Sequence, residues 1–141
     1  MSFEIPNEDK LMVMAKHELT WQNVSDLLCS AFEGGSNYWY MIEEFHIPPE
    51  LRGVPKERVF RHLDYPTRAG GSIVVSNARL VDEEGDTLVK RVTDRPRLVE
   101  ALQLMAEKHP RHFSDFIREG GDADTGDVFL QLAVLGEVRY G

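Results

Sequence analysis

A chain of 141 residues with 42% hydrophobic and 28% charged side chains carries enough apolar mass for a hydrophobic core and is too balanced for wholesale disorder. The net charge of −8 works against non-specific nucleic-acid binding, and the single cysteine, Cys29, excludes an internal disulfide and a cysteine-rich zinc site. No apolar run approaches the ~20 residues of a membrane span, and the polar, acidic start lacks a signal-peptide pattern, so a cytoplasmic protein without a membrane partner is expected.

The charge is uneven. Residues 1–51 hold two basic and nine acidic side chains, net −7; residues 52–111 hold twelve and nine, net +3; residues 112–141 hold two and six, net −4. Acidic ends therefore flank a mildly basic middle.

In chain order, residues 1–9 read as a loose, flexible start to one domain spanning 1–141. Lys10 to His17 is a short apolar run between lysines and predicts a strand. Thr20 stands as an N-cap. The helix after it, Trp21 to Glu33, places Val24, Leu27, Leu28, Ala31 and Phe32 on one face. Cys29 lies beside that face as a packing residue. Gly34 and Gly35 stop the helix, with a left-handed C-cap expected there. Ser36 to Ile42 concentrates aromatics as strands do. An extended chain sets Tyr38, Tyr40 and Ile42 on one face and Trp39, Met41 and Phe45 on the other, which suits an inner strand. The rings of Tyr38, Trp39 and Tyr40 also offer a stacking surface for a base.

Pro48, Pro49 and Pro55 interrupt the next segment. A helical turn is expected at Pro55 to Leu63, within the most basic stretch, where Arg52, Lys56, Arg58 and Arg61 are anion-binding candidates if they converge. Asp64 to Gly71 is loop chemistry. Ser72 to Val81 and Thr87 to Val92 then predict a β-hairpin around the acidic turn Asp82 to Asp86. Thr93-Asp94-Arg95-Pro96 starts a helix with Leu98, Ala101, Leu102 and Met105 inward, ending at His109-Pro110. A short helix from Pro110 to Arg118 gathers Phe113, Phe116 and Ile117. Gly120-Gly121 leads into a last helix, mostly apolar, with Asp122, Asp124 and Asp127 near its start and a glycine stop at Gly136.

The three aspartates invite a calcium-loop reading, which their spacing does not support. Counted from Asp122, the fifth, sixth and twelfth positions are Gly126, Asp127 and Ala133, where the loop needs an oxygen ligand, glycine and glutamate. Capping fits better: Asp122 or Asp124 caps the helix, and the acids complement its positive end. Asp124, Asp127 and Gln131 fall on one stripe and give an apolar helix a polar edge. His109 and His112 have a ligand-like spacing, but Pro110 separates them and no third ligand is evident, so no metal and no cofactor are expected. Nucleophile-elbow, phosphate-loop and dinucleotide motifs are missing from the sequence.

Two segments resemble the signatures of an uncharacterised family of small bacteriophage and prophage proteins. Ala31-Phe-Glu-Gly-Gly-Ser-Asn-Tyr-Trp39 is similar to its EGG-x-x-Tyr-Trp segment. Asp122-Ala-Asp-Thr-Gly-Asp127, with Leu130-Gln131 and Gly136-Glu137-x-x-Tyr140-Gly141, is similar to its C-terminal segment. The resemblance covers residues 20–141 and implies a phage accessory protein working in the bacterial host cytoplasm. It also implies alanine at position 126; glycine there costs a helix about 1 kcal/mol.

The expected fold is α+β, a small antiparallel sheet of the N-terminal strand, the aromatic strand and the hairpin, packed against N-terminal and C-terminal helices. The leading functional expectation is a non-enzymatic protein that binds a host bacterial protein, concretely an inhibitor of a host defence system. One alternative is a small-ligand binder for a nucleotide or cyclic nucleotide; another is a hydrolase using His or Asp. Candidate binding residues are Asn37, Tyr38, Trp39, Tyr40, Asp122, Asp124, Asp127 and Gln131, with no catalytic residue assigned. Direct nucleic-acid contact is not expected, and self-association stays open.

Overall fold

The computed structural model describes residues 11, 13–55 and 62–141. The loose start, the helical turn expected at Pro55 to Leu63 up to residue 61, and the anion candidates Lys56, Arg58 and Arg61 lie outside the described residues. The architecture is α+β, with a three-stranded antiparallel sheet and five α-helices among the described residues. The helices are α1 (Trp21–Ser30), α2 (Ala78–Glu84), α3 (Arg95–Lys108), α4 (Pro110–Glu119) and α5 (Ala123–Leu135); the strands are β1 (Met41–His46), β2 (Ser72–Ser76) and β3 (Lys90–Thr93).

Thr20 caps α1 from an extended conformation. Its hydroxyl accepts from Asn23 N at 3.1 Å, and Asn23 Oδ1 accepts from Thr20 N at 3.1 Å, a reciprocal capping box. Val24, Leu27, Leu28, Ala31 and Phe32 are all buried, as their spacing predicts. Asp94 caps α3 and accepts from Arg97 N, and Leu98, Ala101, Leu102 and Met105 all face the core. The helix ends before Pro110, as expected, and α4 buries Phe116.

Helix α5 is the centre of the fold. Nine of its thirteen residues are buried, from Thr125 and Gly126 to the run Phe129–Leu135. It packs against α1, α3, α4, β3 and the turn that follows α1. Asp122 caps it by accepting from Thr125 N at 2.9 Å, and Gly136 ends it with φ +78°. Each large aliphatic or aromatic side chain buried there contributes about 1.5–3 kcal/mol.

Five expectations need correction. The N-terminal run forms no strand over its described residues: Leu11, Val13 and Met14 are 74–100% exposed, and no described strand pairs with them. A β-prone run stays unpaired when no sheet edge meets it. The aromatic segment is a turn over residues 36–39, and the strand begins only at Met41. Its polar groups converge on one carboxylate (below), which a strand forbids because Tyr38 and Trp39 would point to opposite faces. β1 is also an edge strand; the central strand is β2, whose five residues are all buried.

The predicted hairpin is half right. β2 and β3 pair antiparallel, with Val74 opposite Val92 and Ser76 opposite Lys90. The first run leaves the sheet at Ser76, however, and Ala78 to Glu84 is helix. Asn77 closes the excursion: its side chain accepts from Val89 N at 2.8 Å and donates to Thr87 O at 2.9 Å. Its backbone N–H also donates to Val89 O at 3.2 Å, so the buried amide supplements the last backbone pairing before the chain turns away. Lastly, Gly34 and Gly35 adopt no left-handed cap. The helix widens into a π-turn over Ala31–Gly35, and Gly35 is needed because a Cβ there would collide with the carbonyl of Ala123 at the start of α5.

Candidate functional site

The π-turn and the first turns of α5 are in backbone contact. A Cβ on Gly126 would lie 2.7 Å from Ala31 N, so glycine is what lets the two helices approach. The alanine implied by the family resemblance does not fit this packing.

That approach sets Asp127 under the aromatic turn. Its Oδ1 accepts from Ser36 Oγ and from Trp39 Nε1, each at 2.8 Å. Its Oδ2 accepts from Tyr38 OH at 2.8 Å and Gln131 Nε2 at 3.2 Å. A carboxylate has about four lone-pair directions, and all are taken. Asp127 is therefore an anchor with no free acceptor for a substrate proton. The Tyr38 phenol is pushed above the ordinary tyrosine range, first by burial and then by its bond to Asp127, and stays a donor at neutral pH.

One turn on, Gln131 is fully buried and holds the C-terminal segment. Its Oε1 accepts from Arg139 N at 2.8 Å and Tyr140 N at 2.9 Å, and its Nε2 donates to Tyr140 O at 3.1 Å. Tyr140 carries the network onward. Its hydroxyl donates to Asp86, accepts from Asn77 Nδ2 at 3.1 Å, and its ring packs 5.8 Å from Trp39. Burial, then the Asp86 bond, raises the Tyr140 phenol; the same bond, helped by Thr87 N, lowers Asp86.

The structure thus joins the two sequence signatures. Asp127 and Gln131 meet Tyr38 and Trp39, Asp122 serves as the helix cap, and Asn37 and Asp124 are exposed outside this network. Tyr40 donates to Phe32 O at 2.9 Å. Trp39 is 0% exposed, so its ring faces are not open to a base. Beside the network lies a cavity of about 390 Å³ bounded by His109, His112, Asp124, Asp127 and Tyr140. His112 Nδ1 sits 3.0 Å from Thr125 Oγ1. No cluster of three or more His, Cys, Asp or Glu side chains suited to a metal ion occurs among the described residues.

Arg52 is exposed after a short 3-10 turn, Pro49–Leu51. Sequence reasoning missed Asn77, Arg91 and Arg97. Arg97 donates to the carbonyls of Ala133 and Leu132, and Arg91 to that of Val134, which caps the C-terminal end of α5 from neighbouring elements. Only an apolar helix with no basic residue in its last turn hinted at this need. No family model, curated protein or solved structure matches this chain.

Proposed function

We propose that the chain is a phage-encoded, non-enzymatic accessory protein that binds a host bacterial protein, concretely as an inhibitor of a host defence system. The binding surface in this reading is the outer edge of β1. One observation carries it: β1 pairs with β2 on one side and with no described strand on the other, and five of its six residues are exposed. An unpaired edge presents N–H and C=O groups that accept an added strand.

The chemistry of the edge points to the partner's chemistry. Met41, Phe45 and the following Ile47 are 40–46% exposed, so apolar contact is on offer. Glu43 and Glu44 sit between them; Glu43 pairs with Lys90 at 3.2 Å, whereas Glu44 is largely exposed. The favoured partner therefore brings a basic, strand-forming segment. Cross-linking in bacterial lysate, with a Met41→Lys/Glu44→Lys variant beside the unaltered chain, tests this. The expected result is a salt-sensitive complex whose cross-links map to β1 and which the variant loses. Cross-links concentrated elsewhere, or equal capture by the variant, contradict it.

A further inference from the structure

A second polar pocket is built from elements other than those of the Asp127 network. It occupies about 230 Å³ and is lined by Trp21, Gln22 and Ser25 of α1, Asp64, Thr67 and Arg68 of the 3-10 segment His62–Thr67 and its exit, and Arg95 at the start of α3. Its most constrained member is Arg95. The guanidinium carbon stands 4.7 Å above the Trp21 ring, and Nε donates to Thr67 O at 2.9 Å. Both contacts fix the plane of the group. The two terminal nitrogens have no acceptor among the described residues, so the fork is oriented with its donors unspent.

Ser25 adds a second unspent donor. It is 5% exposed, and its hydroxyl makes no hydrogen bond to a described residue. It lies one helical turn after Trp21, on the same side of α1. No buried side-chain polar atom among the described residues lacks a partner, so this hydroxyl opens onto the pocket, where a ligand atom can reach it. Arg68 is different: Glu50 at 2.8 Å and Asp64 at 3.5 Å already neutralise it, and Asp64 is turned onto it. Arg95 makes no ion pair with a described residue, so its guanidinium is the cation in the pocket open to a ligand oxyanion.

We infer that this pocket binds a small oxyanion of the phosphate class, held by the terminal nitrogens of Arg95 and the hydroxyl of Ser25. The guanidinium fork on α3 and the hydroxyl on α1 line one pocket and can both donate to the oxygens of a tetrahedral anion. One face of Trp21 is already covered by Arg95, so the recognition concerns the phosphate itself. The source is either free phosphate or the phosphate of a nucleoside monophosphate.

Isothermal titration of the full chain with inorganic phosphate and, separately, with AMP tests the inference at fixed ionic strength. Saturable binding is expected, weakened roughly tenfold or more by Arg95→Gln and several-fold by Ser25→Ala, as for loss of a charge-assisted and a neutral hydrogen bond. Arg52→Gln, on the exposed basic stretch, leaves it unchanged. Tighter binding of AMP than of phosphate assigns the site to a nucleotide; weaker binding assigns it to the free anion. Should Arg95→Gln fail to fold by circular dichroism, Arg95→Lys, which keeps charge but loses the fork, replaces it and is expected to bind less tightly. No saturable binding of either probe, or equal affinity in the Arg95 and Ser25 variants, overturns the inference.

Discussion

Trp39 and Asp127 stand 88 positions apart and are joined by a 2.8 Å hydrogen bond from the indole to Oδ1. The indole is fully buried, so its N–H has no water to fall back on. This bond ties the turn after α1 to the first turns of α5. Trp39 and Asp127 spend their polar groups within this network, so neither is free to act as a reagent.

Gln131→Leu is expected to release the C-terminal segment. The apolar side chain keeps most of the volume but leaves the N–H groups of Arg139 and Tyr140 without their acceptor. The cost is about 2–4 kcal/mol, one to two unsatisfied groups. Hydrogen exchange reads it directly: amides 139 and 140 lose protection while those of α3 exchange as before. Unchanged protection at 139 and 140 would show that the segment is held by something other than this amide.

The glycines separate packing from propensity. Gly126→Ala gains about 1 kcal/mol of helix propensity but sets a Cβ 2.7 Å from the Ala31 backbone nitrogen. Backbone cannot swing aside as a side chain can, so a net loss of about 1–2 kcal/mol is expected. A methyl group added at Gly34 would meet nothing within 4 Å, so Gly34→Ala is expected to be neutral or stabilising. Thermal denaturation of the two variants should move in opposite directions or leave Gly34→Ala unmoved; a stabilised Gly126→Ala variant would refute the close approach.

Stability should fall at both ends of the pH scale, for different residues. Asp122 is held below the ordinary carboxylate range, mainly by the Thr125 N–H. Its contribution is complete above the unfolded value of about 3.9 and is lost as pH falls through the depressed folded value. Tyr38 and Tyr140 are shifted upward, burial first and their carboxylate bonds second. Their contribution is complete below about pH 10 and is lost as pH rises through the raised folded values. Urea denaturation across the range should show both limbs. Asp122→Asn flattens the acid limb, and the double variant Tyr38→Phe/Tyr140→Phe flattens the alkaline one; a double variant with the alkaline slope of the parent would detach these phenols from the effect.

Local signals were the legible part of the sequence. Thr20, Asp94 and Asp122 act within three residues of their partners, and the inward face of α3 follows from helical spacing alone. The alignment of Asp124, Asp127 and Gln131 also pointed to the edge of α5 that holds the network, although only the latter two enter it. What sequence hid was long-range convergence. The aromatic run looks like a strand until one carboxylate, drawn from the other end of the chain, collects donors at 36, 38 and 39. The run after Ser76 has strand-like composition, yet Asn77 diverts it into α2. Arg97 and Arg91 sit on elements remote from the α5 carbonyls they serve, so spacing carries no trace of that role.

A double-mutant cycle of Trp39→Phe and Asp127→Asn, followed by urea denaturation, measures the bond that joins the two signature segments. A coupling of about 1.5–3 kcal/mol is expected for a buried donor on a charged acceptor. Additive single effects, with coupling near zero, would mean that the segments fold independently of this contact and would contradict its role as the keystone.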